Sequence, residues 1–289
     1  MNKEIVKLTE NAYLELFVPD MLGKGTRDAM LVVPGGGYNV VCNDREGEPI
    51  AMAFAARGMA AFVLHYSVKE EAAGFRPLTE AFLAVAYIRA HAAEFAVDRV
   101  FAVGFSAGGH LCAALGTMYD LPEEKAKAGI TGRENKIDGM VLIYPMISAM
   151  VDEKTLGCFG NILGKMPETE EEKRRYSMEY RVTDTTVPAF IVHTFADELC
   201  PVQNSLRMMD ALAEHHVFCE AHLYPTGPHG IALANKTTWC ENPGWLDPAA
   251  ARWPDDVMLW TEKLKSVKEK GSDVGAPSVR KVHRGIFCV

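Results

Sequence analysis

No stretch of this 289-residue sequence approaches the roughly 18 consecutive apolar residues of a membrane span, which excludes a bundle of membrane helices. The first residues, MNKEIVKLTENAY, hold no apolar core of signal-peptide length, and the chain is therefore expected to be cytoplasmic. Cysteine is sparse. The seven present (Cys42, Cys112, Cys158, Cys200, Cys219, Cys240 and Cys288) are odd in number and scattered, with no C-x-x-C pair. That excludes a disulfide framework or a thiolate zinc site and predicts reduced thiols. Basic clusters are missing too: 30 Lys and Arg face 38 Asp and Glu, for a formal net charge of -8. Nucleic acid and anionic membrane surfaces are accordingly not expected as partners. Neither a G-x-G-x-x-G dinucleotide fingerprint nor an H-E-x-x-H zinc motif occurs, so no cofactor and no metal is expected. There is no internal repeat. The one biased segment is the end, GSDVGAPSVRKVHRGIFCV, which reads as a loosely attached tail.

What is present is the composition of an ordinary globular domain, 48% hydrophobic and 24% charged, in a length that suits one large α/β unit. Apolar β-rich runs recur at 13–18, 29–33, 60–64, 100–105, 139–144, 189–194 and 221–224. Helix-like segments at 48–57, 78–95, 107–118, 203–216 and 255–268 lie between or after them. Strands alternating with amphipathic helices predict a largely parallel sheet covered on both faces, with ligands gathering at the carboxyl ends of its strands. Between Pro145 and Thr186 the alternation stops. The charged run ETEEEKRRYSMEY within it reads as a solvated surface helix, and the insertion as a whole, leaving the sheet at its catalytic edge, as a cap.

The densest signal is VFAVGFSAGGHLCAAL, an apolar strand, a glycine-bounded serine and a helix start in immediate succession. Ser106 in Gly104-Phe105-Ser106-Ala107-Gly108 has the form of a nucleophile elbow, a strained turn whose flanking positions have no room for side chains. The helix after it leaves the backbone N–H of Ala107 free to donate to an oxyanion. A serine hydroxyl needs a base, and the base needs a carboxylate. Asp197 follows the buried run IVHTF by two residues, and His229 lies in the turn PTGPHG after the strand AHLY; both loops belong at the same sheet edge as Ser106. The other histidines near the site fit less well, since His110 lies inside the helix after Ser106 and His193 inside a strand. Asp184 precedes its strand and belongs at the opposite end. The turn Pro34-Gly35-Gly36-Gly37-Tyr38, after the strand AMLVV, can turn backbone N–H groups into the site, and Gly36 and Gly37 are assigned to an oxyanion hole beside Ala107. Tyr38, Trp239 and Trp245 are expected to contact substrate. For the tryptophans, anchorage of the last helix is the alternative, as it is for Trp253. Cys200, close to Asp197, reads as a small buried hydrophobe.

On VVPGGGYNVVCNDREGEPIAMAFAARGMAAFVLHYSV, GFSAGGHL, HTFADELCP and GPHG, the chain resembles the α/β-hydrolase superfamily. Within it, the chain is similar to small carbohydrate esterases related to acetyl xylan esterases and feruloyl-esterase-like domains. It departs from hormone-sensitive-lipase-like esterases at Pro34, where their glycine motif begins with His, and at Phe105, where they usually carry Asp. The resemblance implies an α/β-hydrolase domain over 1–268 with a cap insertion at about 145–186, followed by a tail at 269–289. It also implies a Ser-His-Asp serine esterase acting on small acyl esters, above all acetyl esters, of sugars or oligosaccharides. An arylformamidase-like or peptidase-like amide hydrolase using the same residues, and a non-catalytic sugar-binding relative, stay open at this point, as does the oligomeric state, a homodimer included.

Overall fold

A strand covered on both faces has no solvent side and so shows no polar alternation, which is why the continuous apolar runs become the centre of the sheet. The computed structural model describes residues 4–21 and 23–271. Its strands are β1 (Glu4–Lys7), β2 (Tyr13–Phe17), β3 (Arg27–Val33), β4 (Ala60–His65), β5 (Val97–Phe105), β6 (Gly139–Ile143), β7 (Ala189–Thr194) and β8 (Cys219–Tyr224). They form one sheet in the order β1-β2-β4-β3-β5-β6-β7-β8. β2 runs antiparallel to β1 and β4, and every other pair is parallel. The pairing brings Val33 beside Gly104, Phe105 beside Ile143 and Thr194 beside Tyr224. The loops after β3, β5, β6, β7 and β8 therefore leave from one edge.

The helices are α1 (Asn43–Glu46), α2 (Glu48–Ala55), α3 (Arg76–Ala90), α4 (Ala92–Phe95), α5 (Ala107–Met118), α6 (Pro122–Lys127), α7 (Leu156–Leu163), α8 (Glu170–Arg175), α9 (Gln203–Glu214) and α10 (Trp253–Gly271). Alternate residues of each strand serve opposite faces. Leu31 and Val33 pack with Leu78 and Phe82 of α3, Leu111 of α5 and Leu212 of α9, whereas Met30 and Val32 pack with Phe54 of α2 and Trp253 and Trp260 of α10. No helix among the described residues is long and apolar enough to cross a membrane.

The structure differs from the sequence pattern in specific places. β1 was not anticipated, because its residues are mostly exposed and carry no burial signature. The helix expected over 78–95 breaks at His91 into α3 and α4. The charged run yields the six-residue α8, opened by a capping box between Thr169 and Glu172 and burying no side chain, and then a 3-10 turn at Met178–Arg181 that buries Met178. The last helix starts at Trp253, earlier than expected, and extends to Gly271; the rest of the expected tail, with Cys288, lies outside the described residues.

Candidate active site

Ser106 joins the end of β5 to the start of α5 with φ 52° and ψ -118°, outside the regions a residue with a Cβ normally occupies. The conformation is over-determined by its neighbours. Ser106 donates its N–H to Ile143 O (3.2 Å), and its carbonyl accepts from His110 N (3.1 Å) and Met146 N (3.0 Å). A Cβ on Gly108 would collide with the carbonyls of Val33 and Pro34, and one on Gly104 with the carbonyl of Gly108, so both elbow glycines are sterically required.

His229, in the loop after β8, places Nε2 2.9 Å from Ser106 Oγ and Nδ1 2.7 Å from Asp197 Oδ2. With Asp197 accepting the proton of Nδ1–H, Nε2 is left to accept from the serine hydroxyl. Asp197, after β7, is itself fixed: its Oδ1 accepts from the N–H groups of Leu199 (3.0 Å) and Cys200 (2.8 Å). Burial works to raise the Asp197 pKa. Hydrogen bonds from His193 and His229, the charge of His229 and the Cys200 amide outweigh it and hold the carboxyl well below the usual carboxylate range. His193, which the sequence reading set aside as a base, lies 3.3 Å from Asp197 Oδ2 through Nε2. The same nitrogen is 2.9 Å from Cys200 O, and Nδ1 is 2.7 Å from Ser205 Oγ. Asp184 pairs instead with His215 at the surface, 2.8 Å away.

Gly36 and Gly37 adopt φ values of 124° and 65° in the turn after β3. Among the described residues, neither their N–H groups nor that of Ala107 donates a hydrogen bond. Gly36, Gly37, Ser106 and His229 line one cavity of about 300 Å³, closed on the insertion side by Lys154, in the turn before α7, and Cys158 in its first turn. His229 and Leu199 are shared with a second, more open cavity of about 710 Å³ walled by Trp245, Asn242 and Glu198.

The other expected substrate contacts separate. Trp245 lines the larger cavity, with the Arg45 guanidinium 4.6 Å over its ring. Trp239 is half-buried and lines neither cavity. Trp253 is fully buried and donates from Nε1 to Ala232 O at 2.9 Å, tying α10 to the loop of His229. The expectation for Tyr38 is corrected: its side chain is completely buried, with its hydroxyl 2.7 Å from His110 Nδ1, so it presents nothing to a substrate. His110 Nε2 is in turn 2.7 Å from Tyr176 O. One neutral imidazole thus joins the glycine turn, the elbow helix and the insertion. Desolvation lowers its pKa to about 4, against the pull of the Tyr176 carbonyl.

Sequence reasoning missed Arg45, Glu46 and Tyr144. Glu46, 2% exposed, accepts from Gly35 N (2.8 Å) and from the Tyr144 hydroxyl (2.9 Å), which itself accepts from Ala232 N (3.1 Å). It holds the glycine turn and the histidine loop together beneath the site. Burial raises its pKa, opposed by Arg45, the two hydrogen bonds and His229. The available signal was an Arg-Glu pair a few residues after the glycine turn, in the run NDREGEP. Among the described residues no group of three or more His, Cys, Asp or Glu side chains is arranged to hold a metal ion.

The BD-FAE family model matches residues 14–212, a span that includes Ser106 and Asp197 and ends before His229. Endo-1,4-beta-xylanase B of Butyrivibrio fibrisolvens is 37% identical over 222 residues, 72% of this chain and 33% of that protein. Acetylxylan esterase of Xylanibacter ruminicola is 29% identical over 251 residues, 83% of this chain and 46% of that protein. The chain spans less than half the length of either curated relative. Among solved structures, an alpha/beta hydrolase enzyme from a Medee basin deep-sea metagenome library superposes with a TM-score of 0.73 at 30% identity, covering 91% of this chain and 98% of that one.

Proposed function

The chain belongs to the BD-FAE family and has the α/β-hydrolase fold, and from that premise we propose that it is a serine carboxylic-ester hydrolase removing small acyl groups, acetyl above all, from sugars or oligosaccharides. The observation that carries this reading is the unbroken relay from Ser106 Oγ through His229 to Asp197, at 2.9 and 2.7 Å, beside three backbone N–H groups that have no partner among the described residues. A relay of this kind moves a proton off a hydroxyl, and free amides stabilise the oxyanion that results.

In the first step Ser106 Oγ bonds to the ester carbonyl carbon while its proton passes to His229 Nε2. The carbonyl oxygen takes the negative charge and accepts from the N–H groups of Ala107, Gly36 and Gly37. Collapse breaks the bond to the alcohol oxygen, which leaves with the proton from Nε2. Water repeats the sequence on the acyl-serine, giving the carboxylic acid and restoring Ser106. Asp197 stays ionised throughout, since its hydrogen bonds and the imidazolium both favour its charge. The open cavity beside His229, with Trp245 on its wall, suits a sugar ring on the alcohol side. Two curated relatives named for xylan and acetylxylan chemistry support a carbohydrate ester.

A hydrolysis screen tests the reading. Acetylated xylo-oligosaccharides and aryl acetate are expected to be turned over, with kcat/KM falling as the aryl ester lengthens to octanoate. A rise towards octanoate would restore a lipase-like reading, and preference for an N-formyl anilide would make the enzyme an amide hydrolase.

A further inference from the structure

Arg45 occupies a wall of the inner cavity together with Ser106 and His229, its side chain 22% exposed. No oxygen of the described residues accepts a hydrogen bond from it, and its Nε is buried without a partner. Its nearest carboxylate oxygen, Glu46 Oε1, is 3.6 Å from Nη2 and already receives the Tyr144 hydroxyl, while Oε2 is taken by the Gly35 amide. The indole of Trp245 covers one face of the guanidinium and offers no lone pair. The Cys42 thiol is a weak acceptor beside it, so the five-donor planar fork next to Ser106 keeps donors that no oxygen of the described residues takes up, whereas buried polar groups are nearly always satisfied.

A second cation shares the cavity. Lys154, exposed in the helical turn that opens the insertion's first helix, lines the same space, and its one hydrogen bond among the described residues goes to the carbonyl of Glu198, at 3.4 Å. Glu46 offsets one of the two positive charges, so the cavity wall is net positive in a chain whose formal net charge is -8. The neighbouring open cavity has the opposite character, with Glu198 and Asp247 on its walls. A neutral sugar needs no such cationic pair, whereas a carboxylate matches a guanidinium fork in geometry and charge.

We infer that the inner cavity recognises a carboxylate carried by the substrate next to its scissile ester, held between Arg45 and Lys154. The carboxylate belongs either to the alcohol half, as a uronic acid, or to the acyl half, as the free end of a dicarboxylic half-ester. The inference rests on the esterase reading for its placement beside Ser106, and names the substrate class of that site.

Matched pairs distinguish the two sources. One pair is an acetylated methyl glucuronoside against the acetylated methyl glucoside; the other is p-nitrophenyl hydrogen succinate against p-nitrophenyl pentanoate. The acidic member of one pair is expected to have at least tenfold higher kcat/KM, and which pair shows it identifies the half that bears the charge. Arg45→Met and Lys154→Met should each reduce that acid-to-neutral ratio at least fivefold. Lys154, being exposed, provides the test if the arginine variant fails to fold. Equal or better turnover of the neutral member in both pairs, or a ratio unchanged in folded variants, would overturn the inference. Calorimetry with D-glucuronate and succinate against D-glucose on Ser106→Ala protein reads the same cavity without turnover. Anion binding there without hydrolysis of any ester by the wild type would defeat the esterase reading alone, and no anion binding would defeat this inference.

Discussion

Acidification should weaken the fold through His110, and the size of the effect follows from its surroundings. The imidazole is fully buried and its two nitrogens are committed in opposite senses: Nε2–H donates to the Tyr176 carbonyl, and Nδ1 accepts from the Tyr38 hydroxyl. A proton added at Nδ1 would face a donor and bring an uncompensated charge into the core, which is why the pKa drops from 6.5 to about 4. In the unfolded chain the same side chain titrates normally. Below about pH 6.5 the unfolded state therefore binds a proton the native state refuses, and stability falls as pH falls through the window from 6.5 to about 4. At ~1.4 kcal/mol per pH unit the full loss is about 3 kcal/mol, of which about 2 kcal/mol is reached by pH 5. In a chain of this length that corresponds to a melting-temperature decrease of roughly 4 °C. His110→Gln keeps a donor and an acceptor but cannot titrate. Thermal and urea unfolding of both proteins, followed by circular dichroism at pH 7.5, 6 and 5, should show the wild type losing about 2 kcal/mol more than the variant between the end points. Parallel curves would refute the reasoning, and a wild type that gains on the variant as pH falls would reverse its sign.

The elbow's geometry makes Gly108→Ala one of the most disruptive methyl additions in the molecule, since the atoms it meets are backbone carbonyls; a loss of ~3 kcal/mol or more is expected in urea unfolding. Ser106→Ala should lower kcat for aryl acetate by on the order of 10⁶ with the circular dichroism spectrum unchanged, and Asp197→Asn by on the order of 10⁴, because the carboxylate orients and stabilises the imidazolium without accepting the proton. Should Asp184→Asn prove more damaging than Asp197→Asn, the acid is misassigned. Trp245→Ala should raise KM for an acetylated xylo-oligosaccharide about tenfold more than for aryl acetate, a difference of ~1.4 kcal/mol, while Trp239→Ala, absent from both cavity walls, should affect the two substrates alike.

The sheet was legible because β3 to β7 are buried runs with turn residues at their ends, a pattern that local sequence carries by itself. The elbow was legible for the same reason, since its strand, turn and helix are contiguous. β1 left no trace because an exposed edge strand needs no apolar residues. Tyr38 was misjudged because adjacency to the glycine turn says nothing about which way a ring points: with φ 56° its side chain drops into the core beneath the turn. Arg45 and Glu46 lie in a run of charges that reads as solvated surface. Only the tertiary fold, by bringing Tyr144 and Ala232 against them, makes Glu46 a buried hub. His193 and His110 were weighed solely as rival bases, and a single-residue reading could not reveal that one would brace Asp197 and the other the insertion.

Reaction with a fluorophosphonate, followed by peptide mass spectrometry, tests the proposed chemistry most directly, because only a serine activated by a working relay attacks phosphorus at an appreciable rate. One adduct is predicted, on the peptide containing Ser106, formed quickly by the wild type and lost in His229→Ala. A wild-type protein that stays unlabelled, or one labelled on a different serine while Ser106 remains free, would contradict it.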